Sequence, residues 1–277
     1  MKFLIIGDIY SQDGRRMVHE WIPKIKDYLQ AQNDALDFII ANGENVTHGK
    51  SISLAHYQEL KKLGIDVITS GNHIFAPTTN AINYIKNHQD LLRPLNYSPY
   101  HPGNGTILVT TKTKKKIRVT NLIGRTFMDK ADNPYFALEN LLKLEASSKK
   151  ERSDIHIIDF HAEATAEKLA LAWYFDGKIT ALVGTHTHVQ TADNRLLPKK
   201  TAYISDIGMS GVYNSIIGAN PEEVIYRERT LLPAKFQPAT GDGQFCAVLL
   251  TIDDKTNLAV KLERIFITPE NQQLILY

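Results

Sequence analysis

The stretch Ile179-Thr180-Ala181-Leu182-Val183-Gly184-Thr185-His186-Thr187-His188 runs from an apolar segment straight into two imidazoles. Ile179 to Val183 reads as a buried strand. Gly184 is expected to let the backbone turn tightly as that strand ends. In an extended segment alternate residues point to the same side. His186 and His188 are therefore expected to aim at one spot, at the carboxyl end of a strand. Neutral imidazole is the commonest protein ligand for transition metals. Four other apolar runs end in similar clusters: Gly7-Asp8, Asn42-Gly43-Glu44-Asn45, Gly71-Asn72-His73 and Asp159-Phe160-His161. The five together predict one metal site.

Outward from that stretch, the first seventy residues read as three strand-helix units. Phe3 to Ile6, Leu36 to Ala41 and Val67 to Thr69 are strands, and each ends at one of the polar clusters. Met17, Val18, Trp21, Ile22, Ile25 and Leu29 have helical spacing, with Pro23 predicting a kink or a late start. Leu54, Tyr57, Leu60 and Leu63 mark a second helix capped by Gly64. Successive strand-helix units argue for an α/β fold, in which ligands bind beyond the carboxyl ends of the strands. Pro77 to Asn87 reads as helical, Leu91 to Pro102 as irregular, and Gly105 to Leu122 as a hairpin around the basic run Lys112 to Arg118. A helix from Pro134 to Ala146, a strand from Ile155 to Phe160 and a helix starting at His161 follow. Ala202 to Ile207 is a further strand, with Ser210-Gly211 at its exit. Gln244 to Ile267 holds two alternating strands without a helix between them, which predicts antiparallel pairing and a mixed sheet. No boundary breaks the pattern, so residues 1–277 are expected to form a single domain.

Composition narrows the function classes. The 277 residues are 43% hydrophobic, enough for a sizeable core, and carry a net charge of only +2. That balance argues neither for RNA nor for an anionic membrane. The single cysteine, Cys246, sits in an apolar run and reads as a buried small hydrophobe. The N-terminus turns acidic too early for a secretion signal, and no apolar run approaches the ~20 residues of a membrane span. A cytoplasmic location is expected.

The residue types at the strand ends suit phosphoryl transfer. Two cations a few ångströms apart can hold the attacking and leaving oxygens, given a bridging anion, neutral nitrogens and a nearby proton donor. Asp8 and Glu44 supply carboxylates, Asn45 and Asn72 amides, and His73, His161, His186 and His188 imidazoles. Such mixed ligation suits iron, manganese or zinc better than magnesium or calcium.

These motifs resemble the calcineurin-like metallophosphoesterases, and more closely their YmdB-like branch. Asp159-Phe160-His161-Ala162-Glu163-Ala164-Thr165, Glu167 to Leu171, Val183 through Arg195 and Asp206 to Gly211 extend the likeness along the chain. The resemblance implies a four-layer α/β/β/α sandwich with mixed sheets and a centre of two divalent or trivalent metal ions, iron by expectation and manganese as the alternative. Carried over by position, Asp8, Glu44, Asn45 and His188 would hold one ion. Glu44, Asn72, His161 and His186 would hold the other, with Glu44 bridging. His73 would give a proton to the leaving group after in-line attack by a metal-bound hydroxide. The implied activity is a phosphodiesterase on small cyclic nucleotides, 2',3'-cyclic or 3',5'-cyclic. Two positions depart from the wider superfamily: Tyr10 stands where a histidine is usual, and Glu44 where an aspartate usually bridges. Both fit the branch. Ile74-Phe75-Ala76 lacks an acidic residue expected near His73, which bears on the pocket rim.

Smaller expectations attach to Thr47, His48 and Arg125 as substrate contacts. Glu163 and Thr165 are expected to orient His161, and Asp193, Asn194 and Arg195 to support the His186 loop or cap a turn. Tyr203 and Trp173 read as core. Rival readings are a monoester phosphatase or nuclease with the same centre, and a regulator that binds nucleotide or RNA with incidental hydrolysis. A homo-oligomer is compatible with any of these. A Rossmann nucleotide binder is set aside, since G-x-G-x-x-G and P-loop patterns are both missing from the sequence.

Overall fold

A computed structural model describes residues 1–111, 113–128 and 130–277; Lys112, at the start of the basic run, lies outside the described residues. The first half of the chain runs β1 (Lys2–Tyr10), α1 (Ser11–Gln30), β2 (Phe38–Asn45), α2 (Leu54–Lys62), β3 (Val67–Thr69), α3 (Ala81–Tyr84), β4 (Thr106–Thr110), β5 (Lys116–Ile123) and α4 (Pro134–Ser147). The second half runs β6 (Ile155–His161), α5 (Thr165–Tyr174), β7 (Ala181–Thr185), β8 (Arg195–Leu196), β9 (Ala202–Ile204), β10 (Met209–Val212), α6 (Pro221–Thr230), β11 (Gly243–Ile252) and β12 (Ala259–Ile267).

The strands form two six-stranded sheets, ordered β12-β11-β10-β1-β2-β3 and β4-β5-β6-β7-β9-β8. Both are mixed. In the first, β1, β2, β3 and β10 run parallel while β11 and β12 run against their neighbours. In the second, β5, β6, β7 and β9 are parallel and β4 and β8 antiparallel at the edges.

Period-two alternation assigns each strand face to a layer. Phe3 and Ile5 of β1 and Phe38 and Ile40 of β2 meet Ile117, Val119, Ile155, Ile157, Ala181 and Val183 in one buried cluster between the sheets. The intervening Leu4, Ile6, Ile39 and Ala41 pack instead on Val18, Trp21, Ile22 and Ile25 of α1. Ile158 and Phe160 of β6 pack with Leu138 and Leu141 of α4 and Leu171 and Ala172 of α5. Strands apolar on both faces need cover on both, and the outcome is helix, sheet, sheet, helix. The expected four-layer arrangement with two mixed sheets is what the chain adopts. Among the described residues no helix is long and apolar enough to cross a membrane.

Several local expectations change. Helix α1 runs unbroken through Pro23. Pro23 is exposed, so water can satisfy the carbonyl its ring leaves unpaired. The Pro77–Asn87 segment divides into short 3-10 turns on either side of α3. Helix α5 starts at Thr165 rather than His161, which ends β6. The strand from Ala202 stops at Ile204, and the chain crosses to the first sheet, where β10 pairs parallel with β1. Ser210-Gly211 therefore lies within a strand of the other sheet. Trp173 is 52% exposed rather than core, whereas Tyr203 is fully buried. Helix α6 had no sequence expectation.

Candidate metal centre

Parallel strands put their carboxyl ends on one edge, and the two sheets bring those edges together. Asp8 lies near the end of β1, Glu44 and Asn45 at the end of β2, and Asn72 and His73 just beyond β3. His161 ends β6, and His186 and His188 follow β7. All seven expected ligands and His73 thus come to one region. Asp8, Glu44, Asn45, His161 and His188 are buried.

The backbone reaches this arrangement differently from the sequence expectation. Gly184 does not turn the chain; it sits inside β7, and a Cβ there would fall 1.8 Å from the Ser205 carbonyl oxygen. Close packing of β7 on the Ser205 segment is what demands glycine. His186 and His188 are not extended either, with φ of 101° and 66°. Non-glycine residues held in that region are strained by about 1–3 kcal/mol, and such positions cluster at functional sites. Gly71 is needed for a similar reason, since a Cβ there would lie 2.2 Å from the His161 ring.

Hydrogen bonds from outside the cluster set each imidazole. His188 Nδ1 lies 2.8 Å from the Ile217 carbonyl oxygen, which can only accept. His188 therefore carries its proton on Nδ1, and Nε2 presents a lone pair. That lone pair faces Asn45 Oδ1 at 3.2 Å, while the Asn45 amide donates to the Gly49 carbonyl. His186 Nε2 stands 3.1 Å from Glu163 Oε2, so its Nδ1 carries the lone pair. Thr185 Oγ1 donates to Asp159 and so accepts from His161 Nδ1 at 3.0 Å, leaving His161 Nε2 bare. His161 Nε2 then faces His186 Nδ1 at 3.0 Å and Asn72 Oδ1 at 3.1 Å. At three contacts, acceptor meets acceptor.

The carboxylates complete the set. Asp8 Oδ2 accepts from His186 N, but buried Oδ1 has no hydrogen-bond partner among the described residues. It stands 3.9 Å from both His161 Nδ1 and His188 Nε2. Glu44 accepts from Gly71 N at 2.5 Å and from His73 N, and lies 3.8 Å from His161 Nε2. Burial, and then the negative neighbours Asp206 and Asp159, hold the Asp8 pKa well above the usual carboxylate range. Burial, with Asp8 and Asp159 adding to it, does the same for Glu44. Burial pushes His161, His186 and His188 down, which keeps them neutral as ligation requires.

These residues fit a pair of cations. Ligands at right angles around a metal with bonds of ~2.1 Å lie roughly 3 Å apart, the spacing of the opposed lone pairs. An unpartnered buried carboxylate oxygen has the same need. Three or more His, Cys, Asp or Glu side chains do not meet at a single point among the described residues. The imidazoles meet amides and one another, with the carboxylates set back.

The lesser expectations divide. His48 lines the cavity beside the cluster, together with Tyr10, Lys50, His73 and Glu163. Thr47 does not: its Oγ1 bonds His56 Nδ1 and accepts from Ser53 N at the start of α2. Arg125 is exposed outside that wall, and its backbone N–H is held by Glu167. Glu163 holds His186 rather than His161, whose orientation comes from Thr185 and Asp159. Asp193 ties Thr191 to Ser205 as a loop brace, and Asn194 reaches Leu262 and Arg264.

Two buried hubs escaped sequence reading. Asp159 accepts from Thr69, Asn42 and Thr185, and burial raises its pKa to about 6. Lys168 and Asp206 pair at 2.9 Å, almost fully buried. Asp206 also accepts from the N–H and hydroxyl of Thr187, between the two loop histidines. A lysine on an amphipathic helix gives no sign in sequence that it points inward.

A family model described as YmdB-like protein matches residues 4–265. The chain belongs to the YmdB-like family. A relative from Bacillus subtilis (strain 168), named 2',3'-cyclic-nucleotide 2'-phosphodiesterase, is 44% identical over 271 residues, covering 98% of each chain. A putative phosphatase/phosphodiesterase from Mycoplasma pneumoniae is 38% identical over 282 residues, covering 99% of this chain and 96% of the relative. Among solved structures, one described as a novel phosphatase from Mycoplasma pneumoniae matches with a TM-score of 0.88 at 37% identity, over 98% of this chain and 95% of its own. A hypothetical protein from Thermus thermophilus matches with a TM-score of 0.87 at 36% identity, over 97% of this chain and 99% of its own. The chemistry that the named relatives share is phosphoester hydrolysis.

Proposed function

We propose that this chain, acting as one domain, is a metal-dependent phosphodiesterase that opens cyclic nucleotides, with 2',3'-cyclic esters first in line. The observation that carries the reading is the set of opposed lone pairs at 3.0–3.2 Å beside an unpartnered buried carboxylate oxygen. Without a cation between them those pairs repel. The 2',3'-cyclic substrate is supported by the name of the 44% identical relative.

Asp8, Glu44, Asn45 and His188 would hold one ion, and Glu44, Asn72, His161 and His186 the other, with Glu44 shared. Imidazole, amide and carboxylate donors favour iron, with manganese the alternative. When bound, such ions would neutralise charge building on the phosphoryl oxygens and acidify a water for attack. The chain's own groups do the rest. Thr185, Glu163 and the Ile217 carbonyl fix the three imidazoles in their ligating tautomers. His73, on the cavity wall, delivers a proton to the departing ribose oxygen, and its backbone N–H ties it to Glu44. The buried Asp8 and Glu44 would supply the anionic ligands that such ions need.

Metal analysis of the purified protein, paired with a panel of cyclic nucleotides, linear dinucleotides and p-nitrophenyl esters after each metal is restored, tests the reading. Metal near two equivalents with preference for a cyclic diester is expected. A metal-free preparation that takes up neither iron nor manganese would sink it. A monoester phosphatase is the second reading, favoured by the description of the Mycoplasma pneumoniae structure as a phosphatase. Stronger turnover of the p-nitrophenyl monoester would select it.

A further inference from the structure

The cavity over the histidine cluster has two unlike walls. One is the polar edge already described. The other comes from the segment between β10 and β11, which contributes Ile216, Ile217, Ala219, Val224 and Phe236. All five are apolar. The segment leaves the sheets and returns through a narrow neck, where Asn220 N bonds Gln237 O and Ala239 N bonds Gly218 O, both at 2.9 Å. Between the arms of the neck lies α6, which buries none of its residues. Glu223 of α6 accepts from Gln237 N at 3.1 Å, tying helix to return arm. Arg227 stands over the Phe236 ring, 5.3 Å from its centre.

Gly218 and Ala219 alone of the strap are buried, so packing a core is not its reason to exist. It leaves Ile217 52% and Phe236 38% exposed at the mouth of a cavity of about 360 Å³. Apolar surface gathered at a concave site marks a ligand. That volume is at the lower end of the roughly 300–1,000 Å³ of small-molecule sites, which suits one nucleoside rather than two. The strap is also joined to the cluster, because the Ile217 carbonyl orients His188.

We propose that this strap is the nucleobase-binding wall of the site: Phe236, Ile217 and Val224 receive the base by its face while its phosphate lies over the histidine cluster. The proposal rests on the phosphodiesterase reading and deepens it. With no polar side chain among the five, the wall reads π-surface and not base edges, so purine and pyrimidine mononucleotides are both accepted.

The test compares adenosine 2',3'-cyclic phosphate with glycerol 1,2-cyclic phosphate, the same reactive ring without a base. Base stacking on an aromatic side chain is worth roughly 5- to 150-fold. Phe236→Ala is expected to lower the ratio of the two kcat/KM values by that amount, and Phe236→Tyr to keep it within about threefold. Binding of adenosine 3'-monophosphate relative to inorganic phosphate, followed by calorimetry without turnover, should fall in parallel. An unchanged ratio and unchanged binding in a Phe236→Ala protein with a wild-type melt overturns the wall. Should that variant not fold, Val224→Asn on α6 replaces it with the same two readouts. If the wild type turns over neither ester, the phosphodiesterase reading fails, and the binding arm alone decides whether the strap holds a base.

Discussion

Strand β6 buries two histidines, His156 near its start and His161 at its end, and their surroundings treat charge in opposite ways. At the start of the strand, Arg118 Nε bonds Glu145 Oε1 at 2.6 Å, with Glu145 Oε2 3.6 Å from His156 Nδ1. Burial works against the Glu145 charge, yet its polar neighbours His156, Ser153 and Arg118 pull its pKa down to about 2. Burial also keeps the His156 imidazole neutral, so the guanidinium is the matching charge. At the other end, Asp8 and Glu44 are as buried, but the nearby cation Lys168 is committed to Asp206. Their pKa values go up instead of down. A buried anion that the chain matches from within is a structural ion pair. One left unmatched among lone pairs is where the proposed cations would supply the missing charge.

The largest expected break in this comparison is His73→Ala. It removes the proposed proton donor and leaves the expected ligands in place. Turnover should fall ~100- to 10,000-fold with metal content retained. Full activity in a metal-replete variant would take His73 out of the reaction.

Arg118→Met tests the other end. It strands the Glu145 charge in the interior, and urea unfolding should register a loss of roughly 3–5 kcal/mol. Turnover per folded molecule should not change. The sign of the pH dependence follows from the lowered pKa. In the wild type, Glu145 contributes stability above its ordinary pKa of 4.5, and that contribution drains away as pH falls towards about 2. In Arg118→Met the drain should shrink, and a melting series across that window would reveal it.

Glu163→Gln leaves His186 without the carboxylate that fixes its tautomer. Metal affinity should drop ~10- to 100-fold in a chelator competition, with no comparable change in fold. Undiminished affinity would mean that Glu163 does not orient a ligand.

The smallest expected change in stability, and the most discriminating, comes from Asp8→Asn. It removes one unmatched charge and places a donor where Oδ1 has no partner. Turnover should vanish while the metal-stripped protein becomes more stable by roughly 1–3 kcal/mol. A carboxyl whose folded pKa is raised keeps a proton that the unfolded chain releases. The metal-free wild type should therefore lose stability as pH rises from the ordinary carboxylate pKa upward, and the variant should lose less. A destabilised Asp8→Asn protein would mean that the charge is already matched within the fold.

Much of the site was legible in sequence because parallel strands make position along the chain a guide to position in space. A polar residue ending an apolar run lies on the ligand edge whichever strand carries it. Asp8, Glu44, Asn45, Asn72, His161, His186 and His188 were all singled out that way, whereas the four layers came from the family resemblance. The sequence alone also set the donor types, and with them the class of ion they suit.

Tertiary structure decided what depends on approach rather than order. Only packing against Ser205 explains Gly184, and only the loop's left-handed backbone places His186 and His188. The inward lysine at position 168, the Asp159 hub and the transfer of β10 to the other sheet have no periodic signature. Neither has the strap around α6, whose exposed helix carries no core-facing stripe to read. Periodicity reports which face of an element is buried. It does not report what that face meets, and hydrogen-bond partners, tautomers and cavity walls are all set by the meeting.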